Sequence, residues 1–309
     1  MHKRRGLFFQ SLLLTLLLIL PMAGAVVYLA GQRSERQAAQ AAASQSTLAE
    51  PAGARNTHRL LLAVQGEAPA FLLLRLDGPA QQIRFCALPG ELTLQAPAGT
   101  TTLAACYLSA GPARAAELLM NTVGIAPDAY LAATADGFAD LWGGGSGVRF
   151  DTSSVLPEEA RGPLGYGDDP VAQLEAGGVP DFLAGAAGQP GVDPPALARV
   201  RGAVWAAFFR QGREVLPELA EAVRGASARL LTDLTAQDLY RLEETLTWLS
   251  GASGLTVDYE TADLQPAAGS WQLTETGMQT VQTLLAGGRP AETTPETARH
   301  GGGRLCGAA

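Results

Sequence analysis

The chain has 309 residues, 47% of them hydrophobic, with 22 basic and 30 acidic side chains. Apart from Lys3, Arg4 and Arg5 at the N-terminus, it carries 19 basic and 30 acidic residues, a net charge of −11. This acidic excess argues against nucleic acid as a partner, which requires a basic face, and against wide contact with an anionic membrane surface.

The N-terminus predicts a membrane anchor. No charged side chain occurs from residue 6 to residue 32, and most of residues 7–29 are apolar. About 20 apolar residues in a helix cross a hydrocarbon core of about 30 Å. Because the basic cluster precedes this run, the positive-inside tendency leaves residues 1–6 in the cytoplasm. We therefore expect a transmembrane helix at 7–30 and a single-pass cell-membrane protein whose C-terminal domain is extracytoplasmic.

A cleaved signal peptide is the alternative reading of the same segment. Ala23-Gly24-Ala25 resembles a small-residue cleavage site. Residues 26–29 extend the apolar run beyond that site, which favours an uncleaved anchor. Both readings export the domain that follows.

Composition divides the rest of the chain into three parts. Residues 31–57 are rich in Ala, Gln and Ser without a stable apolar face and predict a stalk. Residues 287–309 are rich in Gly, Pro and Thr without periodicity and predict a disordered tail. The intervening residues 58–286 have a plausible length for one domain.

The elements of this domain predict an α/β fold. Residues 58–64, 71–76 and 82–88 are nearly continuous apolar runs, typical of strands that are covered on both faces, and the short turn between the last two indicates a hairpin. Helical patterns and further strands follow, with helices at 112–123, 135–142, 195–210, 214–231, 236–250 and 274–285, and strands near 128–131, 255–261 and 270–273. We expect a mixed central sheet with helices on both faces, preceded by one transmembrane helix.

Few residues suggest catalytic chemistry. Histidine occurs only at positions 2, 58 and 300, which makes a His-dependent triad or a His-rich metal site improbable. Glu91 and Asp193 are acidic loop residues that could bind a divalent cation if they converge. Arg199 and Arg201 are two positions apart in a helix and therefore point to different sides, so that one of them could hold a phosphate or both could be surface residues.

The cysteines leave two readings open. Cys86 and Cys106 could form a disulfide if their elements are adjacent, or they could be buried apolar thiols.

The order of these segments resembles the LytR-CpsA-Psr family of cell-wall glycopolymer ligases. The resemblance is carried by Ala87-Leu88-Pro89 at a strand end, by residues 103–112, by NTVGIAPDAY at 121–130, by DGFADLWGG at 136–144 and by RLLTDLTAQDLYRL at 229–242. It covers most of residues 58–285, in order and spacing more than in residue identities.

Family membership would imply transfer of a phospho-linked glycopolymer from a polyprenyl carrier to peptidoglycan, with arginines on the pyrophosphate and acidic residues on Mg²⁺. The charged motif positions are largely replaced here. Gly90-Glu91 stands where the family has Arg-Asp, and Pro69-Ala70 where it has Asp-Thr. Thr102 and Ala104 stand for a Lys and an Asn, and Phe182, Ala184 and Ala186 for a Tyr and two arginines.

Two hypotheses follow. In the first, the protein is an active phosphotransferase with rearranged residues: Glu91 or Asp193 holds Mg²⁺, and Arg84, Arg199 or Arg201 holds phosphate. In the second, which the lost charges favour, it is a non-catalytic or weakly active relative that binds a polyprenyl-phosphate lipid or a cell-wall polymer. The first predicts that at least two arginines and an acidic residue converge at one pocket mouth.

Overall fold

The computed structural model describes residues 52–66, 68–97, 99–134, 137, 147–225 and 230–287. The described residues belong to one unit, Ala52–Ala309. The predicted anchor, residues 31–51 of the predicted stalk, the predicted helix at 135–142 apart from Gly137, and the predicted tail after Gly287 lie outside them. None of the helices described is long and apolar enough to cross a membrane.

A mixed sheet forms the centre of the domain. Within the described residues, its six strands are β1 (Thr57–Gln65), β2 (Ala70–Asp77), β3 (Gln82–Leu88), β6 (Ala129–Thr134), β9 (Leu231–Thr232) and β10 (Thr256–Glu260). They lie in the order β10-β3-β2-β1-β6-β9. β2 is antiparallel to both β1 and β3, so the predicted hairpin is confirmed, while β1–β6 and β3–β10 are parallel.

Three small hairpins surround the sheet. They pair β4 (Thr93–Ala96) with β5 (Gly99–Thr102), β7 (Val148–Asp151) with β8 (Val171–Leu174), and β11 (Leu264–Ala267) with β12 (Ser270–Leu273). The last of these hairpins joins the first through a bridge between Leu92 and Trp271.

The described helices are α1 (Leu103–Val123), α2 (Glu158–Arg161), α3 (Val179–Ala187), α4 (Pro194–Phe209), α5 (Gly212–Gly225), α6 (Ala236–Gly251) and α7 (Glu275–Ala286). In α1, α4, α6 and α7 the residue before the first turn is a Thr or Asp whose side chain accepts a hydrogen bond from a backbone N–H of that turn. Thr235 and Asp238 form a capping box at the start of α6. Gly111, with φ of 79°, and Pro112 kink α1, so the predicted helix at 112–123 is its second half.

Two apolar cores cover the two faces of the sheet, as expected for strands of nearly continuous apolar residues. Alternate residues of β1 divide between them: Leu60 and Leu62 face the core formed with α4, α5 and α6, and Leu61 and Ala63 face the core formed with α1 and α7. Cys86 and Cys106 are buried in the second core as free thiols, so the disulfide reading is not realised.

Candidate functional site

The carboxyl ends of β1, β3 and β6 meet at one edge of the sheet, where ligands of open α/β sheets usually bind. Gly90, just after β3, is buried against Pro69, and a Cβ placed on Gly90 would lie 3.2 Å from the Pro69 carbonyl oxygen and 3.0 Å from Ala104 Cβ. Three positions that the resemblance assigns to charged or polar motif residues are therefore brought together as small or apolar residues. We call Pro69, Gly90 and Ala104 the edge cluster.

Backbone hydrogen bonds hold the edge cluster in place. The Ala104 N–H donates to the Gly90 carbonyl at 2.7 Å, and the Leu103 N–H donates to the Leu92 carbonyl at 2.8 Å. The Thr102 hydroxyl caps α1 by accepting a hydrogen bond from the Ala105 N–H at 3.2 Å. The residue that stands for the family's lysine thus serves as a helix cap.

One arginine approaches the edge cluster. Burial lowers the pKa of the Arg201 guanidinium on α4, and the negative charge of Glu91 acts in the opposite direction. Glu91 itself is exposed, and its carbonyl accepts a hydrogen bond of 3.0 Å from the Trp271 N–H. Arg201 forms no ion pair or hydrogen bond with any residue that the structure describes. Arg201 is thus a half-buried cation on which one acidic residue, Glu91, acts.

The other candidate arginines lie elsewhere. Arg199 is exposed on α4, and its charge acts on Tyr259 of the edge strand β10, so it diverges from Arg201 as the spacing predicts. Arg84 is only 2% exposed and is bound by Glu260 at 2.7 Å. Its neighbours Ile83 and Phe85 face α4, so Arg84 lies on the opposite face of the sheet. Of the three candidate arginines, Arg201 is the one on which the charge of Glu91, the residue after Gly90, acts.

The two acidic candidates for a magnesium site, Glu91 and Asp193, lie on separate elements. Mg²⁺ is usually bound by one or two carboxylates with octahedral geometry. Asp193 caps α4 by accepting a hydrogen bond of 2.8 Å from the Ala196 N–H, about 12 Å along the helix from Arg201. No group of three or more His, Cys, Asp or Glu side chains in the described part of the chain could hold a metal ion. Glu91 and Asp193 stay candidates from the sequence that the structure does not bring together.

The segment that stands for the family's two arginines forms α3. Phe182 packs edge-on against Phe150 and Tyr166, with ring centroids 5.7 and 5.8 Å apart, and Ala186 is fully buried. Of the two positions that stand for arginines, Ala186 is thus packed in the core, whereas Ala184 is exposed.

An apolar cavity of about 40 Å³ lies between the sheet and α4, α5 and α6. Its lining is wholly apolar. Trp205 and Phe209 of α4 line it together with residues of β1, β2, β6, α5 and α6, namely Leu60, Leu62, Leu74, Leu76, Leu131, Leu219, Val223, Leu242 and Leu246. Such a cavity stays dry and accepts only apolar groups.

A second cleft, which the sequence analysis did not identify, lies at the opposite end of β3. It has a volume of about 520 Å³ and is lined by Arg210, Arg213 and Ser253, with Leu255 and Val257 of the β10 region. A signal for it in the sequence is the Arg-Gln-Gly-Arg run between two helices.

The architecture defines a class of fold: an α/β domain with a mixed sheet whose two faces are both covered. This is the fold of the LytR-CpsA-Psr ligases, so the resemblance seen in the sequence is confirmed at the level of the fold.

The similarity rests on solved structures. A Eubacterium siraeum protein described as a transcription regulator is 11% identical, with a TM-score of 0.59 over 77% of this chain and 95% of its own. TagT bound to LIIa-WTA is 12% identical, with a TM-score of 0.54 over 78% and 94%. TagV of B. subtilis is 13% identical, with a TM-score of 0.52 over 76% and 98%. No protein-family model matches the sequence, and no curated protein sequence resembles it significantly.

Proposed function

We propose that this protein is a LytR-CpsA-Psr-like cell-envelope protein, non-catalytic or weakly active, that binds a polyprenyl-phosphate-linked ligand at the membrane. The observation that carries the proposal is the edge cluster with Arg201 beside it. The position that could receive a phosphate has one desolvated guanidinium and a wall of Pro69, Gly90 and Ala104.

The charges at this edge of the sheet favour binding of a phosphate group over phosphoryl transfer. Phosphoryl transfer depends on positioning and on neutralising charge that develops on several oxygens. Losing one such donor typically costs about 10²–10³ in rate. Arg201 is the one candidate arginine on which the charge of Glu91 acts, and Glu91 offsets part of its positive charge. One guanidinium can bind a phosphate oxygen pair, but it leaves the leaving group without a donor.

The apolar cavity supports a lipid as the other half of the ligand. Its present volume of about 40 Å³ is smaller than the roughly 150 Å³ that holds a benzene molecule. An isoprenoid chain would therefore enter by separating α5 and α6 from the sheet. The predicted anchor at 7–30 would present the domain to such a lipid at the cell membrane.

Active transfer of a polyprenyl-diphosphate-linked glycopolymer to peptidoglycan is the second candidate. It is favoured by the proximity of an acid and a cation, Glu91 and Arg201, in a fold shared with ligases. An active enzyme of this kind would hold Mg²⁺ with one or two carboxylates and the substrate phosphates, and Glu91 is the acidic residue available for this role beside Arg201.

The two candidates separate in one experiment. The full chain in a neutral detergent is mixed with undecaprenyl diphosphate, and binding and phosphate release are measured with and without Mg²⁺. We expect binding without release, and binding weakened at least roughly tenfold by Arg201→Gln. Arg149→Gln, an exposed arginine on β7, is the matched control and should bind normally. Release that depends on Mg²⁺ would establish the enzyme instead, and absence of binding would reject both.

A cavity variant tests the lipid half separately. Val223→Phe on α5 should fill the cavity, reduce binding of undecaprenyl diphosphate and leave binding of inorganic pyrophosphate unchanged. Overpacking also destabilises a core by about 1–3 kcal/mol, so thermal unfolding must first show that the variant is folded at the assay temperature. Unchanged lipid binding by the folded variant would place the chain outside this cavity.

A further inference from the structure

A cluster of buried polar side chains fastens α6 to the start of β1. The His58 ring is only 8% exposed, and its Nε2 lies 3.0 Å from the Thr245 hydroxyl of α6. Asn56, in the short 3₁₀ helix Ala54–Asn56 that precedes β1, donates to the same hydroxyl and to Glu244 at 3.4 Å each. We call these contacts of Asn56 and His58 with Glu244 and Thr245 the α6 latch.

The hydroxyl of Thr245 determines which nitrogen of the His58 ring carries a proton. It donates its one proton to the Arg241 carbonyl at 2.8 Å. The oxygen therefore accepts from Asn56 and from His58, so Nε2 of His58 carries a proton and donates it to Thr245. The α6 latch is complete with a neutral ring. A second proton, on Nδ1, adds no bond to Thr245 and turns the ring into a buried cation, which is costly.

Charged groups of several elements act on the His58 ring. Burial is the main cause that lowers its pKa below 6.5, and the positive charge of Arg241 on α6 acts in the same direction. A hydrogen bond with the Arg241 backbone and the negative charges of Asp128, before β6, and Asp238, on α6, offset this only in part. Two ion pairs flank the α6 latch, namely Arg59–Asp128 and Arg55–Glu244.

The same turns of α6 line the apolar cavity. Leu242 and Leu246, both 2% exposed, lie on either side of Thr245 along the helix and face the cavity. Because neighbouring residues of a helix move together, Thr245 cannot leave β1 without moving Leu246 away from the sheet. An isoprenoid chain that enters by separating α6 from the sheet must therefore break the α6 latch.

We propose that protonation of His58 opens the α6 latch and so admits an isoprenoid chain to the apolar cavity. The latch regulates the lipid site proposed above and therefore rests on that function. In the open form the charged ring reaches water, and the lipid chain covers the apolar side chains that α6 leaves. Because the ordinary pKa of histidine is about 6.5 and burial in the closed form lowers it, the closed form is favoured at pH 7.5 and loses stability towards pH 5.5.

Hydrogen exchange tests the α6 latch without a ligand. Exchange of the α6 backbone amides in the full chain, in a neutral detergent, is compared at pH 7.5 and pH 5.5 after correction for the intrinsic rate. We expect opening of α6 to increase about three- to tenfold, since one titrating group changes an equilibrium at most tenfold per pH unit. The β2 amides, which report global unfolding, should exchange more slowly than those of α6 at both pH values.

Three variants identify the groups responsible, once thermal unfolding shows that each is folded. His58→Gln, whose amide can donate to Thr245 without titrating, should remove the increase at pH 5.5. Thr245→Val should increase the exchange of α6 already at pH 7.5, because it removes the hydroxyl that accepts from Asn56 and His58. Thr247→Val, at an exposed position of the same helix, is the matched control and should behave as the parent does.

Undecaprenol, which carries no titrating group, tests the control of the cavity. Its affinity for the parent should rise about three- to tenfold from pH 7.5 to pH 5.5 and stay constant for His58→Gln. If α6 opens with acid in the parent alone but undecaprenol binds at neither pH, the lipid function fails and the α6 latch stands. The proposal is overturned if α6 exchanges no faster than β2, if parent and His58→Gln respond equally to pH, or if undecaprenol binds the parent equally at both pH values.

Discussion

The Ala104 N–H donates a hydrogen bond of 2.7 Å to the carbonyl oxygen of Gly90, and the two residues also meet side by side. This contact joins the end of β3 to the first turn of α1. Main-chain atoms therefore occupy the position at which the family resemblance predicts charged side chains. The edge cluster is therefore a packed structural contact, and larger side chains would have to displace it.

Gly90→Ala should destabilise the domain. The new Cβ would lie 3.0 Å from Ala104 Cβ and 3.2 Å from the Pro69 carbonyl oxygen, closer than normal contacts, and buried backbone would have to move. Overpacking of this kind costs about 1–3 kcal/mol. We expect the free energy of unfolding, measured with urea, to fall by about 1–2 kcal/mol.

Gly251→Ala is the matched control for that substitution. Gly251 is the last residue of α6, and nothing lies within 4 Å of a Cβ placed there. Alanine is the better helix former, so this variant should be neutral or more stable by up to about 1 kcal/mol. Equal effects of the two substitutions would show that the edge cluster is not tightly packed.

The two functional candidates predict opposite outcomes for the substitution Glu91→Gln. If Glu91 only offsets the charge of Arg201, removing its negative charge should strengthen binding of undecaprenyl diphosphate, by about two- to fivefold for a partly exposed pair. If Glu91 is a ligand for Mg²⁺, the same change should abolish Mg²⁺-dependent phosphate release. Affinity and release measured on one preparation decide between them.

His58 should make stability depend on pH. Burial lowers the pKa of His58 below its ordinary value of 6.5, and its ring Nε2 lies 3.0 Å from the Thr245 hydroxyl. The unfolded chain therefore binds a proton at a higher pH than the folded protein. Stability contributed by neutral His58 is complete above about pH 6.5 and is lost as the pH falls below it, by at most about 1.4 kcal/mol per pH unit.

His58→Gln isolates this contribution. No other histidine occurs between residues 3 and 299, and glutamine keeps a polar group near Thr245 without titrating. Urea unfolding at pH 5.5, 6.5 and 7.5 should show a smaller loss of stability on acidification in the variant than in the parent. Equal pH dependence would mean that carboxylates, and not His58, are responsible.

The central architecture could be predicted because it depends on local patterns. The apolar runs of β1, β2 and β3 gave their positions to within one residue, since strands buried on both faces need few other signals. The hairpin β4–β5 was missed because Thr93–Ala96 and Gly99–Thr102 are short and polar.

The candidate site could be predicted only in part. The helical spacing of Arg199 and Arg201 correctly separated the two side chains. Side chains alternate along β3, so Arg84 lies on the sheet face away from α4. This placement could not be predicted from the sequence, because it depends on the pairing register of β3 in the sheet. The cleft at Arg210 and Arg213 depends on a long-range contact between Gly212 and Leu255, which no local pattern contains.

We expect the Arg84–Glu260 pair to stabilise the fold and to have no role in ligand binding. Arg84 is 2% exposed, and its guanidinium donates to Glu260 Oε1 at 2.7 Å across neighbouring strands. Glu260→Gln removes the countercharge of a buried cation, and breaking a buried pair costs about 3–5 kcal/mol when nothing replaces the partner. The amide oxygen still accepts a hydrogen bond, so we expect a loss of about 2 kcal/mol in the free energy of unfolding.

Asp258→Asn provides the comparison on the same strand. Asp258 is two residues before Glu260 and accepts an exposed hydrogen bond of 2.6 Å from Gln82, so its neutralisation should change stability by less than about 0.5 kcal/mol. Undecaprenyl diphosphate should bind both folded variants as it binds the parent, because neither residue reaches the edge cluster. If Glu260→Gln left stability unchanged but altered lipid binding, Arg84 would belong to the ligand site, and the assignment of Arg201 as the arginine of the edge cluster would have to be revised.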